Sequence, residues 1–260
     1  WGGRCGLGGG SAGRRGRERH AVAGGRVEGG VGGGRRAAAV GVGREVGAGR
    51  SGVGGVGGRR RSLGTSAEEN EGCGGGGQGV AVTAHQCDLS RRQDNAELVA
   101  GAGELDAAVA CAGICPLEED WLDDPDWDDV FHRVMDVNLL GPIHLCRELL
   151  PRMAARGGGQ IVLIGSIGGR MGGTSPIVQP HYIASKGGVH AFIWWLAQRA
   201  APQGVLVNAI VPGVMDTPVN RKAMPDADTS TWSNLEDVAR AVCWLASPEN
   251  QTTTGSYVTV

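Results

Sequence analysis

No stretch of the sequence approaches the roughly 18 consecutive apolar residues that a membrane-spanning helix needs, so none is expected. The beginning of the chain also lacks the apolar core of a secretory signal, and a cytoplasmic protein is expected. The 7 cysteines have no framework spacing, which excludes a disulfide scaffold and suits a reducing compartment. Cys111 and Cys115 are close, but no second Cys or His pair completes a zinc site, so no metal is expected. The first 79 residues have no aromatic beyond Trp1, and residues 1–80 have neither Lys nor Asp.

What is there divides the chain in two. Residues 1–80 hold 13 Arg and 6 Glu, for a charge of +7, and 31 of the 48 glycines. The rest carries −9 of a formal net charge of −2. Composition therefore sets a boundary near Gly79, between a Gly/Arg-rich segment over 1–79 and one α/β domain over 80–260. In the first segment the apolar residues follow neither helical nor strand periodicity, and little can be buried against chain entropy. It reads as a disordered tail, or as text from a frame error in GC-rich DNA. An arginine-glycine arm for nucleic acid ranks below these, because such arms interleave aromatics for stacking.

From Gly79 strands and helices alternate. Strands are expected over Gly79–Ala84, Leu105–Ala110, Gln160–Gly165, Gly204–Val211 and Ser256–Val260, with helices over 91–103, Trp127–Arg156, from Tyr182 to about Ala201, and from an Asn234 N-cap to Leu245. In the long helix Val130, Val134, Val137, Leu140, His144 and Leu145 keep helical spacing, and Gly157–Gly159 ends it. Gly168–Thr174 reads as a glycine-rich loop, and 214–234 as a polar, irregular lid. Continuous apolar strands alternating with helices predict a doubly wound parallel sheet with helices on both faces.

Tyr182 and Lys186 stand four apart on a helix, so phenol and ammonium share a face. A phenol has a pKa of about 10 and is a poor base at neutral pH. A fixed cation nearby favours the phenolate and brings the group toward useful acid–base work. Ser166 follows a strand at its carboxyl end, as Pro212 and Gly213 follow another, and ligands of open α/β sheets bind beyond those ends.

The order Asp88, Ala112-Gly113, Asn138, Ser166, Tyr182, Lys186, Pro212-Gly213 and Thr217 resembles the short-chain dehydrogenase/reductase family over about residues 80–260, whereas 1–79 does not match it. The resemblance implies a Rossmann-like fold and an oxidoreductase that interconverts an alcohol and a ketone using NAD or NADP. It implies Tyr182 as general acid/base, with Lys186 lowering its pKa and bonding the nicotinamide ribose. Ser166 would hold the substrate oxygen, and Asn138 would fix a helix irregularity and a water. Asp88 would bond the adenine, Ala112 and Gly113 would pass close to the cofactor, and Pro212, Gly213 and Thr217 would border the nicotinamide.

Plainer roles stand beside these. Asp88 and Thr217 can be caps, Ser166 a turn-capping hydroxyl, and Asn138 a helix-surface amide. Two departures also stand out. Ala110 and Cys111 replace the pattern's two asparagines, and the interval from Ser166 to Tyr182 is long. A pyrophosphate turn would need spaced glycines after a strand. Gly43, Gly47 and Gly49 after Ala37–Val42 have that spacing, as do Gly2, Gly6 and Gly8, but glycine is too dense there for spacing to discriminate. A homotetramer or homodimer is the expectation from resemblance, with Trp194 and Trp195 as interface or core. A small or medium alcohol is the expected substrate. The competing reading is a catalytically silent relative acting as a binding or scaffold protein.

Overall fold

A computed structural model describes the backbone of residues 37–40, His85, and residues 87–116, 121–171 and 179–260. Five strands form one sheet in the order β1 Ala37–Val40, β2 Ala107–Ala110, β3 Gly159–Ile164, β4 Val205–Val211 and β5 Tyr257–Thr259. Every neighbouring pair is parallel. The strand expected over Gly79–Ala84 and the glycines of both candidate turns lie outside the described residues. The expected strand Ala37–Val42 forms over Ala37–Val40 and aligns Val40 with Ala110, so the sheet includes chain from upstream of the boundary at Gly79.

The strands are mostly apolar because both faces are covered. Alternate residues separate two cores. Ala108, Ile161, Leu163, Val207 and Ala209 join Leu98, Leu145, Leu149 and Ile193, which come from α1 (Arg92–Ala102), α3 (Gly141–Ala155) and α5 (Pro180–Ala200). Ala107, Val109, Val162 and Ile210 point the other way, onto Val238, Val242 and Leu245 of α7 (Leu235–Leu245). Fully burying each large aliphatic side chain contributes about 1.5–3 kcal/mol, which makes this alternation the main determinant of register. Asn234 caps α7 as expected, its side chain accepting from the Glu236 N–H at 2.7 Å. No helix among the described residues is long and apolar enough to cross a membrane.

Three expectations are corrected. The helix expected over Trp127–Arg156 is α2 (Trp127–Met135) joined to α3 through a π turn over Asp136–Leu140. The wider turn rotates the buried face, so Asn138 is fully buried while Leu140, expected inside, is 39% exposed. Asn138 is therefore no surface amide. The expected glycine-rich loop from Gly168 begins instead inside a short helix, α4 (Ile167–Met171). It packs so closely on α5 that a Cβ on Gly169 would lie 2.6 Å from the Lys186 carbonyl carbon, and glycine is what permits the contact. The segment 214–234 is not wholly irregular: it holds α6 (Pro218–Ala223), with Pro218 at its start, and a 3-10 turn over Thr229–Thr231.

Candidate active site

Ala112-Gly113, Ser166 and Pro212-Gly213 leave the carboxyl ends of three adjacent parallel strands, β2, β3 and β4. The first turns of α5 bring Tyr182 and Lys186 to the same end, with Pro180 opening the helix. The ammonium of Lys186 sits 5.8 Å from the centroid of the Tyr182 ring. It donates to the Ile164 carbonyl at 2.8 Å, the last residue of β3, and Lys186 is only 5% exposed.

Asn138 gains its place from the π turn. Its side-chain oxygen accepts from the Ile114 N–H at 2.8 Å and its amide donates to the Ile114 carbonyl at 2.8 Å. The same amide reaches Ser185 Oγ at 3.2 Å, and that hydroxyl donates to the Tyr182 carbonyl at 2.8 Å. Asn138 thus joins the loop after β2 to the helix carrying Tyr182 and Lys186. A Cβ on Gly113 would lie 3.4 Å from the Asn138 side-chain oxygen and 3.6 Å from the Lys186 nitrogen, so glycine keeps the backbone face above both groups open.

Ser166 is nearly buried, and its hydroxyl lowers the pKa of the Tyr182 phenol. Its oxygen also accepts from the Gly168 N–H at 3.3 Å, so it caps the turn into α4 as well as facing the tyrosine. Gly213 is clamped from behind: its N–H reaches Ser233 Oγ at 3.1 Å and the Val260 carbonyl at 3.3 Å, and the Ser233 hydroxyl donates to that carbonyl at 2.6 Å. Thr217 caps α6, accepting from the Asn220 N–H at 3.1 Å, which leaves its own O–H to donate. Asp88 is exposed and closes the turn before α1, accepting from the Ser90 N–H at 3.1 Å and the Ser90 hydroxyl at 2.7 Å. Asn138, Ser166, Tyr182, Lys186 and Gly113 are brought together, while Asp88 and Thr217 make their hydrogen bonds locally.

The electrostatics differ from the expectation that the ammonium makes the phenol acidic. Burial raises the Tyr182 phenol above its ordinary value, the Ser166 hydroxyl lowers it in part, and the Cys115 thiol raises it further. Burial likewise lowers Lys186 to about 8, opposed by the Cys115 and Cys111 thiols. One dry pocket disfavours both charged forms, and removal from water outweighs the cation's pull on the phenol. Sequence reasoning missed Ser185 and His190, which act through partners the chain brings near only on folding. Ser185 could have been suspected from its place one residue before Lys186. His190 gave no local signal.

Residues 60–228 match the family described as short chain dehydrogenase, a match that begins upstream of the expected start near residue 80. The chain is 30% identical over 196 residues to an acetoacetyl-CoA reductase of Allochromatium vinosum, covering 70% of this chain and 77% of that protein. It is also 30% identical over 197 residues to an L-rhamnose 1-dehydrogenase (NAD(P)(+)) of a Sphingomonas species, covering 71% and 75%. The solved structure of a 3-oxoacyl-[acyl-carrier protein] reductase with bound NAD from Brucella melitensis superposes with a TM-score of 0.60 at 32% identity, covering 70% of each chain. With its parallel sheet and its serine, tyrosine and lysine gathered at the strand ends, the chain belongs to the short chain dehydrogenase family of oxidoreductases.

Proposed function

We propose that this chain is an NAD(P)-dependent oxidoreductase interconverting an alcohol and a ketone, with Tyr182 as its general acid/base. The observation that carries this reading is the buried Lys186 ammonium, anchored on the Ile164 carbonyl at the strand end before Ser166 and standing 5.8 Å from the centroid of the Tyr182 ring. A substrate oxygen between the two hydroxyls would be positioned by Ser166 and would exchange its proton with Tyr182. Lys186, anchored on the Ile164 carbonyl, stabilises negative charge as the phenol gives its proton up. Asn138 holds the loop after β2 against α5 through Ile114 and Ser185.

The residues fit a dinucleotide cofactor, whose nicotinamide supplies or accepts the hydride when bound. The open backbone face at Gly113 supports that fit, as does the clamped Pro212-Gly213 turn at the neighbouring strand end. Ala112 and Gly113 would hold it on one side, and Pro212, Gly213 and Thr217 on the other, with Lys186 on the ribose and Asp88 on the adenine. The alignment of Val40 with Ala110 ends β1 level with β2 at the carboxyl ends of the strands, where a pyrophosphate-binding turn would be needed. Relatives support the assignment by name: one is an acetoacetyl-CoA reductase, and another is an L-rhamnose 1-dehydrogenase (NAD(P)(+)).

A homodimer or homotetramer through the α2–α3 helices and α5 is part of the same proposal, supported by Trp194 and Trp195, which stand 58% and 53% exposed on α5. A monomeric mass by light scattering would remove it. The free thiols of Cys87, Cys111, Cys146 and Cys243 support a reducing cytoplasm. A small or medium alcohol remains the proposed substrate, because the 214–234 segment carries no aromatic beyond Trp232. The test is titration with NADH and NADPH by fluorescence, followed by turnover of a panel of ketones with wild type and Tyr182→Phe. Binding plus turnover lost in the variant is expected. Failure to bind either nucleotide would favour a silent scaffold relative.

A further inference from the structure

The peptide N–H of Ser166 lies at a point where ordinary sheet pairing has run out. Its neighbours bond to the β4 side, Gly165 N–H to the Ile210 carbonyl at 2.8 Å and Ile167 N–H to the Pro212 carbonyl at 3.1 Å. The Ser166 N–H is taken instead by Nε2 of His190, two turns along α5 from Tyr182, at 3.4 Å. A second observation places the ring independently. A Cβ built on Gly165 would fall 2.3 Å from His190 Nε2, so the imidazole fills the volume that any side chain at 165 would occupy.

The ring is fixed from behind. It meets the Tyr257 ring edge-on, with centroids 5.3 Å apart, and the Tyr257 hydroxyl donates to the His190 carbonyl at 2.6 Å. Arg170 of α4 lies 5.9 Å from the centroid of that tyrosine ring. Histidine, tyrosine and strand end form one packed unit under the seryl hydroxyl.

We propose that His190 is a positioning residue: its Nε2 holds the main-chain N–H of Ser166, and so aims the Ser166 hydroxyl at Tyr182. The inference rests on the role given to Ser166 in the proposed function. Nε2 can accept only while it is unprotonated, so the neutral ring carries its proton on Nδ1. A protonated ring would turn a second donor against the Ser166 N–H. It would also add a cation beside Lys186 on its own helix and Arg170 on α4, with the Tyr257 phenol as the remaining titratable neighbour on β5. Burial and those two cations hold His190 below the ordinary histidine range, which keeps the acceptor in place at neutral pH. Acidification through that depressed value then releases Ser166 and produces an acid limb in turnover.

Two variants separate an acceptor from a space-filler. His190→Gln keeps an oxygen able to accept near the position of Nε2, whereas His190→Leu fills the space without accepting. At pH 7 we expect kcat to fall about fivefold in His190→Leu, the scale of one net hydrogen bond, with cofactor affinity unchanged and kcat largely retained in His190→Gln. The acid limb should disappear in His190→Gln, a readout that survives if His190→Leu does not fold. Equal losses in both variants, or an acid limb persisting in His190→Gln, would overturn the proposal. Imidazole nitrogen NMR of the histidine-labelled wild type decides the hydrogen bond without any turnover. The Nδ1–H tautomer is expected, and an Nε2–H tautomer overturns the proposal. A wild type that turns nothing over would sink the oxidoreductase reading, and the ring tautomer would still decide this one.

Discussion

Replacing Lys186 by methionine should remove activity and yet make the unliganded protein more stable at neutral pH. Lys186 is 5% exposed, and burial takes its ammonium from an ordinary 10.5 to about 8. At about 1.36 kcal/mol per pKa unit, holding the charge in the folded state costs on the order of 3 kcal/mol. Methionine keeps the stem length and removes the charge, but it leaves the Ile164 carbonyl without its 2.8 Å donor, a loss of about 1–2 kcal/mol. The balance is a gain of about 1–2 kcal/mol, or roughly 2–8 °C in Tm for a domain of this size. The pH dependence is the sharper signature. Below pH 8 both folded and unfolded chains hold the lysine proton, and the folded state carries the full penalty. Between about 8 and 10.5 the unfolded chain still holds the proton while the folded chain has released it, so wild-type stability rises with pH across that window relative to the variant. Urea unfolding of both proteins at pH 7 and pH 9.5, followed by tryptophan fluorescence, measures the difference directly. A variant less stable than wild type at pH 7, or a difference that does not shrink by pH 9.5, would refute the reasoning.

Other perturbations test other contacts. Gly169→Ala drives a Cβ to 2.6–2.7 Å from the α5 backbone at Lys186 and Gly187, which should destabilise by about 1–3 kcal/mol and lower kcat by displacing Lys186. Gly168→Ala, one residue earlier in the same short helix, meets only Ser166 Oγ at 3.6 Å and should be neutral or slightly stabilising. Thermal melts that rank the two alike would refute the close packing of α4 on α5. Tyr182→Phe should abolish turnover while leaving nucleotide affinity within about twofold, since a lost proton donor acts on the chemical step. Unchanged turnover would remove the mechanism.

Strands β2 to β5 and the helices α5 and α7 were legible because each follows from local facts: β3 is apolar from Ile161 to Ile164, β4 is apolar but for Asn208, and Asn234 announces α7. The π turn was not. Val137 and Leu140 keep the spacing of an ordinary helix, and the residue that decides otherwise is Asn138, whose partner Ile114 lies far away in sequence. Helix α4 was hidden for a similar reason. Two adjacent glycines read as a loop, yet Gly169 is helical because α5 lies against it. At the site, Ser166, Tyr182, Lys186 and Asn138 could be picked out by type and order. His190 could not, because an imidazole acceptor for a strand-end N–H is a fact of three dimensions.

The acid–base state of the pocket carries a consequence for direction. With Lys186 at about 8 and the Tyr182 phenol raised by burial, the unliganded site at pH 7 holds an ammonium and a phenol that still has its proton. That is the donor form, ready to protonate the oxygen of a carbonyl being reduced without any prior change. Taking a proton from an alcohol first requires the phenol to lose its own, which becomes easier as pH rises. Above about 8, however, the ammonium that stabilises the phenolate discharges, and the gain from higher pH is undercut. Reduction should therefore reach its maximum at lower pH than oxidation, and oxidation should level off rather than climb indefinitely. Initial rates in both directions from pH 5 to 10 would test this, and coincident optima would mean that desolvation does not govern the tyrosine and that the neighbouring cation does.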